Sequence, residues 1–232
     1  MEKRHNIVFF TGSGISAESG IQTFRDAGGL WENHNVYEVA TPEAFTSNPE
    51  MVLRFYNARR QQMYEVEPNA AHQFIAQLED RFHVDVITQN VDNLHERAGS
   101  SSVLHLHGEL DKGRSSQNPN LIVPLHGKDI NLGDRAPDGI QLRPHVVWFG
   151  EAVPAIEQAI PIIERADVLV VIGTSLQVYP AAGLLDYMSY HCKLICVDPS
   201  SDIQHSLSNK VIHIAESAVN GVSKLQKILF EK

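Results

Sequence analysis

Six short aliphatic runs punctuate the sequence, at 6–11, 84–88, 103–106, 168–173, 194–198 and 211–214. They do not alternate apolar with polar. A continuous run such as VLVVIG is what a strand needs when both of its faces are covered, as in a parallel sheet between two helical layers. Stretches with helical spacing lie between the runs, at 49–64, 70–81, 91–98, 154–165, 181–191 and 218–230. This alternation predicts an α/β fold, a doubly wound, mainly parallel Rossmann-like sheet.

Two segments break the alternation. Residues 26–67 carry loop-forming types and then a helix that Ser47 or Asn48 caps ahead of Pro49. Residues 109–145 are rich in Gly, Asn, Asp, Ser and Pro, with only 121–125 strand-like. Loops longer than about 15 residues are uncommon unless they serve a function. Both are read as insertions at the carboxyl end of the sheet that together form a small second lobe on a single domain spanning 1–232.

The first strand runs directly into Gly12, Ser13, Gly14 and Ala17, the spacing G-x-G-x-x-[G/A]. Glycines there let the backbone turn tightly and approach a pyrophosphate, and the amides opening the next helix donate to it. Dinucleotide-binding units also place an acidic residue about 20 residues further on. Here that interval runs through Gly28, Gly29, Trp31, His34 and Pro42 with no strand pattern, a departure from the dehydrogenase layout.

Composition narrows the partners. A net charge of -9 argues against non-specific binding to nucleic acid or anionic lipid, which require a basic surface. It suits a lysine-rich protein partner, and equally a merely soluble protein. Two cysteines, Cys192 and Cys196, exclude a disulfide scaffold and point to a reducing, cytoplasmic compartment. No apolar run reaches the roughly 18 to 20 residues that span a bilayer. The opening MEKRHNIVFF enters its strand too early for a signal peptide. A monomer is expected.

Candidate chemistry collects just past the strand ends, where open α/β sheets form their ligand crevice. TQNVDNLHERAG places Gln89, Asn90, Val91 and Asp92 there, although Asn90 or Asp92 would serve equally as a helix cap. VLHLHGEL ends in His107; His105 faces the same side of the strand, but only the end position reaches the crevice, which makes His107 the candidate general base. PHVVWFGE, 144–151, is an extended apolar segment, either a core strand or an edge able to accept a peptide as an added strand. VIGTSLQVYPAA offers Gly173, Thr174 and Ser175 as donors to a phosphate or ribose, and CVDPS ends a strand in Asp198, placed to accept from adenosine hydroxyls. In RFYNARRQQ, Tyr56 and Arg59 share a helix face with Val52 and Met63; on spacing alone this is an amphipathic helix with a half-buried Tyr and a solvated Arg.

GSGISAESGIQTFRD, TQNVDNLHERAG, the His107-Gly108 pair and PHVVWFGE closely resemble the motifs of the sirtuins, NAD-dependent protein lysine deacylases, and the resemblance covers the chain from residue 6 to about 225. It implies NAD as cofactor and acyl-lysine-bearing proteins as substrates, with nicotinamide and O-acyl-ADP-ribose as products. His107 would be the catalytic base, with Asn90 and Asp92 at the nicotinamide and organising a water. Thr23, Phe24 and Arg25 would sit on the cofactor loop and Ala215 near the adenine. Val147, Phe149 and Gly150 would line the acyl-lysine tunnel. Tyr56 and Arg59 look like the pair that marks sirtuins preferring acidic acyl groups, which implies desuccinylation alongside deacetylation. Two features depart from the family pattern. Ser13 stands where alanine is usual, and 109–145 contains no cysteine for the structural zinc. His126, Asp111, Asp129 and Asp134 make a poor substitute cage, so no metal is expected and the small lobe is expected to hold by packing alone. A protein ADP-ribosyltransferase or NADase on the same cofactor site, and a non-catalytic NAD-responsive module, remain the rival readings.

Overall fold

A computed structural model describes residues 5–21, 30–31, 34–200 and 211–230. In chain order these form β1 (Asn6–Thr11), α1 (Gly14–Ala17), β2 (Leu30–Trp31), β3 (His34–Asn35), α2 (Val36–Val39), α3 (Pro42–Ser47), α4 (Pro49–Glu65), α5 (Ala70–Gln77), β4 (His83–Thr88), α6 (Leu94–Ala98), β5 (Val103–His105), β6 (Gly108–Ser115), β7 (Ile122–Pro124), β8 (Leu142–Val146), α7 (Ile156–Glu164), β9 (Val168–Ile172), β10 (Lys193–Val197), β11 (Ile212–Ile214) and α8 (Ala218–Phe230).

The six apolar runs form one parallel sheet in the order β5-β4-β1-β9-β10-β11. Taken by position in the chain, this is the order 3-2-1-4-5-6 of doubly wound nucleotide-binding folds, whose switch point falls between the first and fourth strands. Here those are β1 and β9. Successive residues face opposite layers: Ile7, Phe9, Val170 and Ile172 pack against α5 and α8, whereas Val8, Phe10, Leu169 and Val171 pack against α7 and the 3-10 helix Ala181–Tyr187. With both faces covered, neither can be polar, and the strands read as unbroken aliphatic runs.

The insertions build a second structure. β6 pairs antiparallel with β7 and β8 in a three-stranded sheet. The side chains of α2, α3 and α4 pack on it through Val39, Val52, Phe55, Tyr56, Leu110, Val146 and Trp148. α4 begins where Asn48 accepts a hydrogen bond from the Met51 amide at 3.2 Å, which settles Asn48 rather than Ser47 as its cap.

Packing alone does not hold this part together, contrary to the sequence expectation. Arg60 is fully buried in α4; its Nε donates to the Leu110 carbonyl at 2.6 Å and its Nη1 to Asn57 Oδ1 at 2.8 Å. Asn57 in turn donates to the Ile130 carbonyl and accepts from the Ile130 amide, at 2.9 and 3.0 Å. Burial lowers the pKa of Arg60, and Asp129 and Asp111 oppose that shift. β6 was also missed, and β8 was read only from Pro144 onward. β6 and β8 carry Asp111, Lys112, Arg114 and Arg143, residue types that read as loop until a partner for each charge is known. Arg114 and Arg143 find theirs in Glu151, at 3.0 and 2.6 Å.

Candidate active site

The turns after β1 and β9 meet at the switch point with almost no clearance. A Cβ added to Gly12 would lie 2.7 Å from the Gly173 carbonyl oxygen, and one added to Gly14 would lie 2.6 Å from the Gly173 Cα. Gly173 itself has φ +62, a conformation costly for any residue with a side chain. These glycines therefore answer to one another's backbone as much as to any ligand. The helix that follows, α1, is a single turn.

On this floor opens a cavity of about 690 Å³. Gly12, Ser13, Gly173, Thr174 and Ser175 line it beside Gln89, Asn90, Val91, Asp92 and His107, and it continues to Tyr56, Arg59, Val147, Phe149 and Gly150. Fragments up to about 160 residues apart in sequence thus share one space. Gly14, Ala17, Asp198 and Ala215 do not line it. Ala17 and Ala215 are exposed, and Asp198, buried at the end of β10, accepts from the Ser200 amide at 2.9 Å. Thr23, Phe24 and Arg25 lie outside the described residues.

Asn90 and Asp92 are held by a residue that the sequence reading passed over. Ser16 Oγ donates to Asp92 Oδ2 at 3.1 Å and accepts from Asn90 Nδ2 at 3.1 Å, and Asn90 Nδ2 also donates to the Gly12 carbonyl at 3.1 Å. A serine on an otherwise buried turn was the available signal. Asp92 also braces the start of α6: its Oδ1 accepts from the Leu94 amide at 3.2 Å, with Asn93 at the N-cap, and the helix begins at Leu94 rather than 91. Burial raises its pKa, against hydrogen bonds from Leu94 and Ser16 and the charge of His105. Gln89 Nε2 donates to Thr174 Oγ1 at 2.9 Å, tying the β4 turn to the β9 turn.

His107 Nδ1 lies 3.0 Å from the Gln89 carbonyl. A carbonyl only accepts, so Nδ1 carries the hydrogen and Nε2 keeps its lone pair. Burial lowers the pKa of the ring, the Gln89 carbonyl opposing it, and keeps the imidazole neutral at neutral pH. That is the protonation state of a general base.

PHVVWFGE is not one extended edge. β8 ends at Val146; the Val147 amide then donates to the His107 carbonyl at 2.9 Å and the Phe149 amide to the Ala40 carbonyl at 2.9 Å, before Gly150 turns the chain with φ +87. Glu151 braces the segment, accepting from Arg114, Arg143 and the Trp148 amide. Trp148 lies flat under the Arg143 guanidinium, 3.2 Å from the ring centre, and its Nε1 donates to the Tyr56 hydroxyl at 3.0 Å. Tyr56 is fully buried and Arg59 8% exposed, so neither the half-buried Tyr nor the solvated Arg of the amphipathic reading is found. Burial pushes the Tyr56 hydroxyl well above its ordinary pKa and keeps it a neutral phenol.

The family model described as the Sir2 family matches residues 12–180, from the first glycine of the β1 turn to the cavity-lining Pro180. This chain belongs to the Sir2 family. An NAD-dependent protein deacylase of Bacteroides thetaiotaomicron is 53% identical over 230 residues, 97% of each chain. A mutant Sir2 homologue solved with ADP-ribose superposes with a TM-score of 0.88 at 36% identity, over 99% of this chain and 95% of that one. A Sir2 protein solved with a deacetylated peptide and 3′-O-acetyl ADP-ribose superposes with a TM-score of 0.81 at 30% identity, over 97% and 94%. This Sir2 chain departs from the sequence reading mainly by adding Ser16, Trp148 and Glu151 around the predicted residues. Among its described residues no helix is long and apolar enough to cross a membrane.

Proposed function

We infer that the chain is an NAD-dependent protein lysine deacylase that removes acetyl and succinyl groups from protein substrates. The observation that carries this reading is the convergence of a neutral, tautomer-fixed His107 with Asn90, Asp92 and the paired glycine turns on one cavity that runs on to Tyr56 and Arg59. The residues fit the cofactor: the cavity opens at the switch point of the sheet, and its polar lining of buried carboxamide and carboxyl suits an amide-bearing ring. NAD, when bound, supplies an electrophilic ribose carbon and a nicotinamide leaving group.

The protein's own contribution is positional and electrostatic. The turn glycines with Ser13, Thr174 and Ser175 hold the phosphates and ribose, and Thr23, Phe24 and Arg25 complete that cofactor contact. Asp198 and Ala215 stand toward the adenosine end. Asp92 and Asn90, fixed by Ser16, hold the carboxamide, and Asn90 orients the water. His107 Nε2 takes a proton from a ribose hydroxyl, the neutral imidazole accepting what a charged one could not. Val147, Phe149 and Gly150 confine the acyl-lysine so that the two reactants meet already oriented. Arg59 and the Tyr56 phenol take the distal carboxylate of a succinyl group, for which a planar guanidinium is well suited. The two insertions act as one accessory lobe that carries this substrate side.

The test is incubation with NAD and peptides bearing acetyl-, succinyl- or unmodified lysine, followed by mass detection. Deacylation should yield nicotinamide, free lysine and O-acyl-ADP-ribose; ADP-ribose attached to protein would instead identify a transferase, and no nicotinamide release a binding module. His107→Ala should abolish turnover while retaining NAD binding. Arg59→Met should reduce succinyl turnover at least roughly tenfold more than acetyl turnover, and an equal loss on both would remove Arg59 from acyl selection.

A further inference from the structure

The loop that carries Gln89, Asn90 and Val91 is gripped by the next strand through four consecutive carbonyls. The Leu106 amide donates to the Thr88 carbonyl at 2.9 Å, His107 Nδ1 to Gln89 at 3.0 Å, His105 Nδ1 to Asn90 at 2.8 Å, and the Leu110 amide to Val91 at 2.8 Å. Two of these four donors are imidazoles two residues apart, His105 at the end of β5 and His107 in the bend before β6. Both rings have their tautomer fixed the same way, because a carbonyl accepts only from N–H. They differ at Nε2. That of His107 belongs to a ring lining the cavity, whereas that of His105 lies 2.7 Å from Glu96 Oε1 on α6 and 4.0 Å from Glu109 Oε1 on β6. Lys112 pairs with Glu109, and the side chain of His105 is 6% exposed.

We propose that His105, as an imidazolium bridging the Asn90 carbonyl and Glu96, is a positioning residue of the deacylation site. It fixes the backbone of Asn90, and with it the direction of the Asn90 carboxamide between Gly12 and Ser16. The two histidines divide the work. His107, with no carboxylate at Nε2 among the described residues, stays neutral and serves as base; His105, with Glu96 there, serves as clamp. The Glu96–His105 ion pair is also where the proton goes: Nε2 carries it, and Glu96 accepts the hydrogen bond. The other titratable groups facing the ring are Glu109 and Lys112 from β6, Asp92 from the loop itself and, from α6, the neutral His95.

This inference rests on the deacylase reading, and its test separates the two. His105→Asn keeps a donor where Nδ1 stood and loses the reach to Glu96. His105→Gln keeps the reach to Glu96 and loses the donor to the Asn90 carbonyl. With an acetyl-lysine peptide that the parent enzyme turns over, the Gln variant should lose roughly ten- to a hundredfold in kcat/KM for NAD with KM for the peptide little changed, and the Asn variant should stay within about threefold of the parent. A role confined to packing or to the Glu96 pair would not separate the two variants in this way. Equal losses, or full activity in the Gln variant, overturn the proposal. Should the parent turn over no acylated peptide, the deacylase reading fails, and calorimetric titration of the same three proteins with NAD and with ADP-ribose decides the clamp alone. The Gln variant should then weaken NAD but not ADP-ribose, which lacks the group that Asn90 faces; a parallel change in both ligands, or none, overturns it.

Discussion

The six-stranded sheet and the three-stranded sheet are held by different physics. In the large sheet, Val8, Phe9, Phe10, Leu169, Val170 and Ile195 are at or near zero exposure, and their strands gain from both faces at once. In the small one Leu110 and Val146 join the cluster under α2, α3 and α4, and the cluster under its loops is only Leu53, Leu125 and Ile130. What joins the second insertion to α4 is instead a set of buried donors, Arg60 and Asn57, spent on the carbonyls of Leu110 and Ile130. A short sheet covered on one face buries too little apolar surface to fix its own loops, whereas a buried loop carbonyl left without a donor costs about 1 to 3 kcal/mol. A long polar side chain reaching from a well-anchored helix removes that cost. The same donors tie 109–145, a segment without cysteines, to α4.

The sharpest way to break the comparison is Arg60→Met. It conserves an unbranched stem, removes the guanidinium, and leaves the Leu110 carbonyl and Asn57 Oδ1 without that donor. Urea unfolding should register a loss of roughly 3 to 5 kcal/mol; a loss below about 1 kcal/mol would mean that apolar packing suffices after all.

Acid examines a place where the helices on the large sheet bury polar groups. His72 on α5 and His95 on α6 are almost completely buried, with rings 4.9 Å apart. Burial lowers His72 to about 4 and His95 well below its ordinary value. The unfolded chain binds a proton at each near 6.5, the folded protein only at lower pH. Protonation therefore favours unfolding as pH falls below about 6.5, and the stability lost to His72 reaches about 3 kcal/mol near pH 4. Urea midpoints of the parent and of His72→Gln between pH 7 and pH 4.5 should converge as the pH falls. The difference between them cancels the carboxylates they share; parallel curves would show that His72 is not buried neutral.

Ile195→Val should have the smallest effect. It removes one methyl group from the fully buried core of β10 and should cost about 1 kcal/mol. A cost matching that of Arg60→Met would erase the distinction between the two regions.

Legibility in the sequence follows the same division. All six strands of the large sheet lie within a residue or two of their predicted limits, because burial on both faces leaves an unbroken aliphatic signature. β6, and β8 before Pro144, were hidden because Asp111, Lys112, Arg114 and Arg143 look like loop until Glu151 is known to face the two arginines. The start of α6 was misjudged for a related reason: Asp92 takes the Leu94 amide from inside the motif. In the site, the motif residues Gln89, Asn90, Asp92, His107, Tyr56 and Arg59 were legible. Ser16, which holds two of them, and Trp148, which meets Tyr56, were not, since each contributes through a contact more than 70 residues away.

Local composition by itself determined the parallel α/β sheet, its switch-point turns and the residue types offered to a cofactor, because strand burial and turn geometry act over a few neighbours. Only the tertiary structure decided which histidine meets a carboxylate, since His105 and His107 lie two residues apart and both face carbonyls of one loop through Nδ1. Among the described residues the fold brings Glu96 to the Nε2 of His105 and no carboxylate to that of His107.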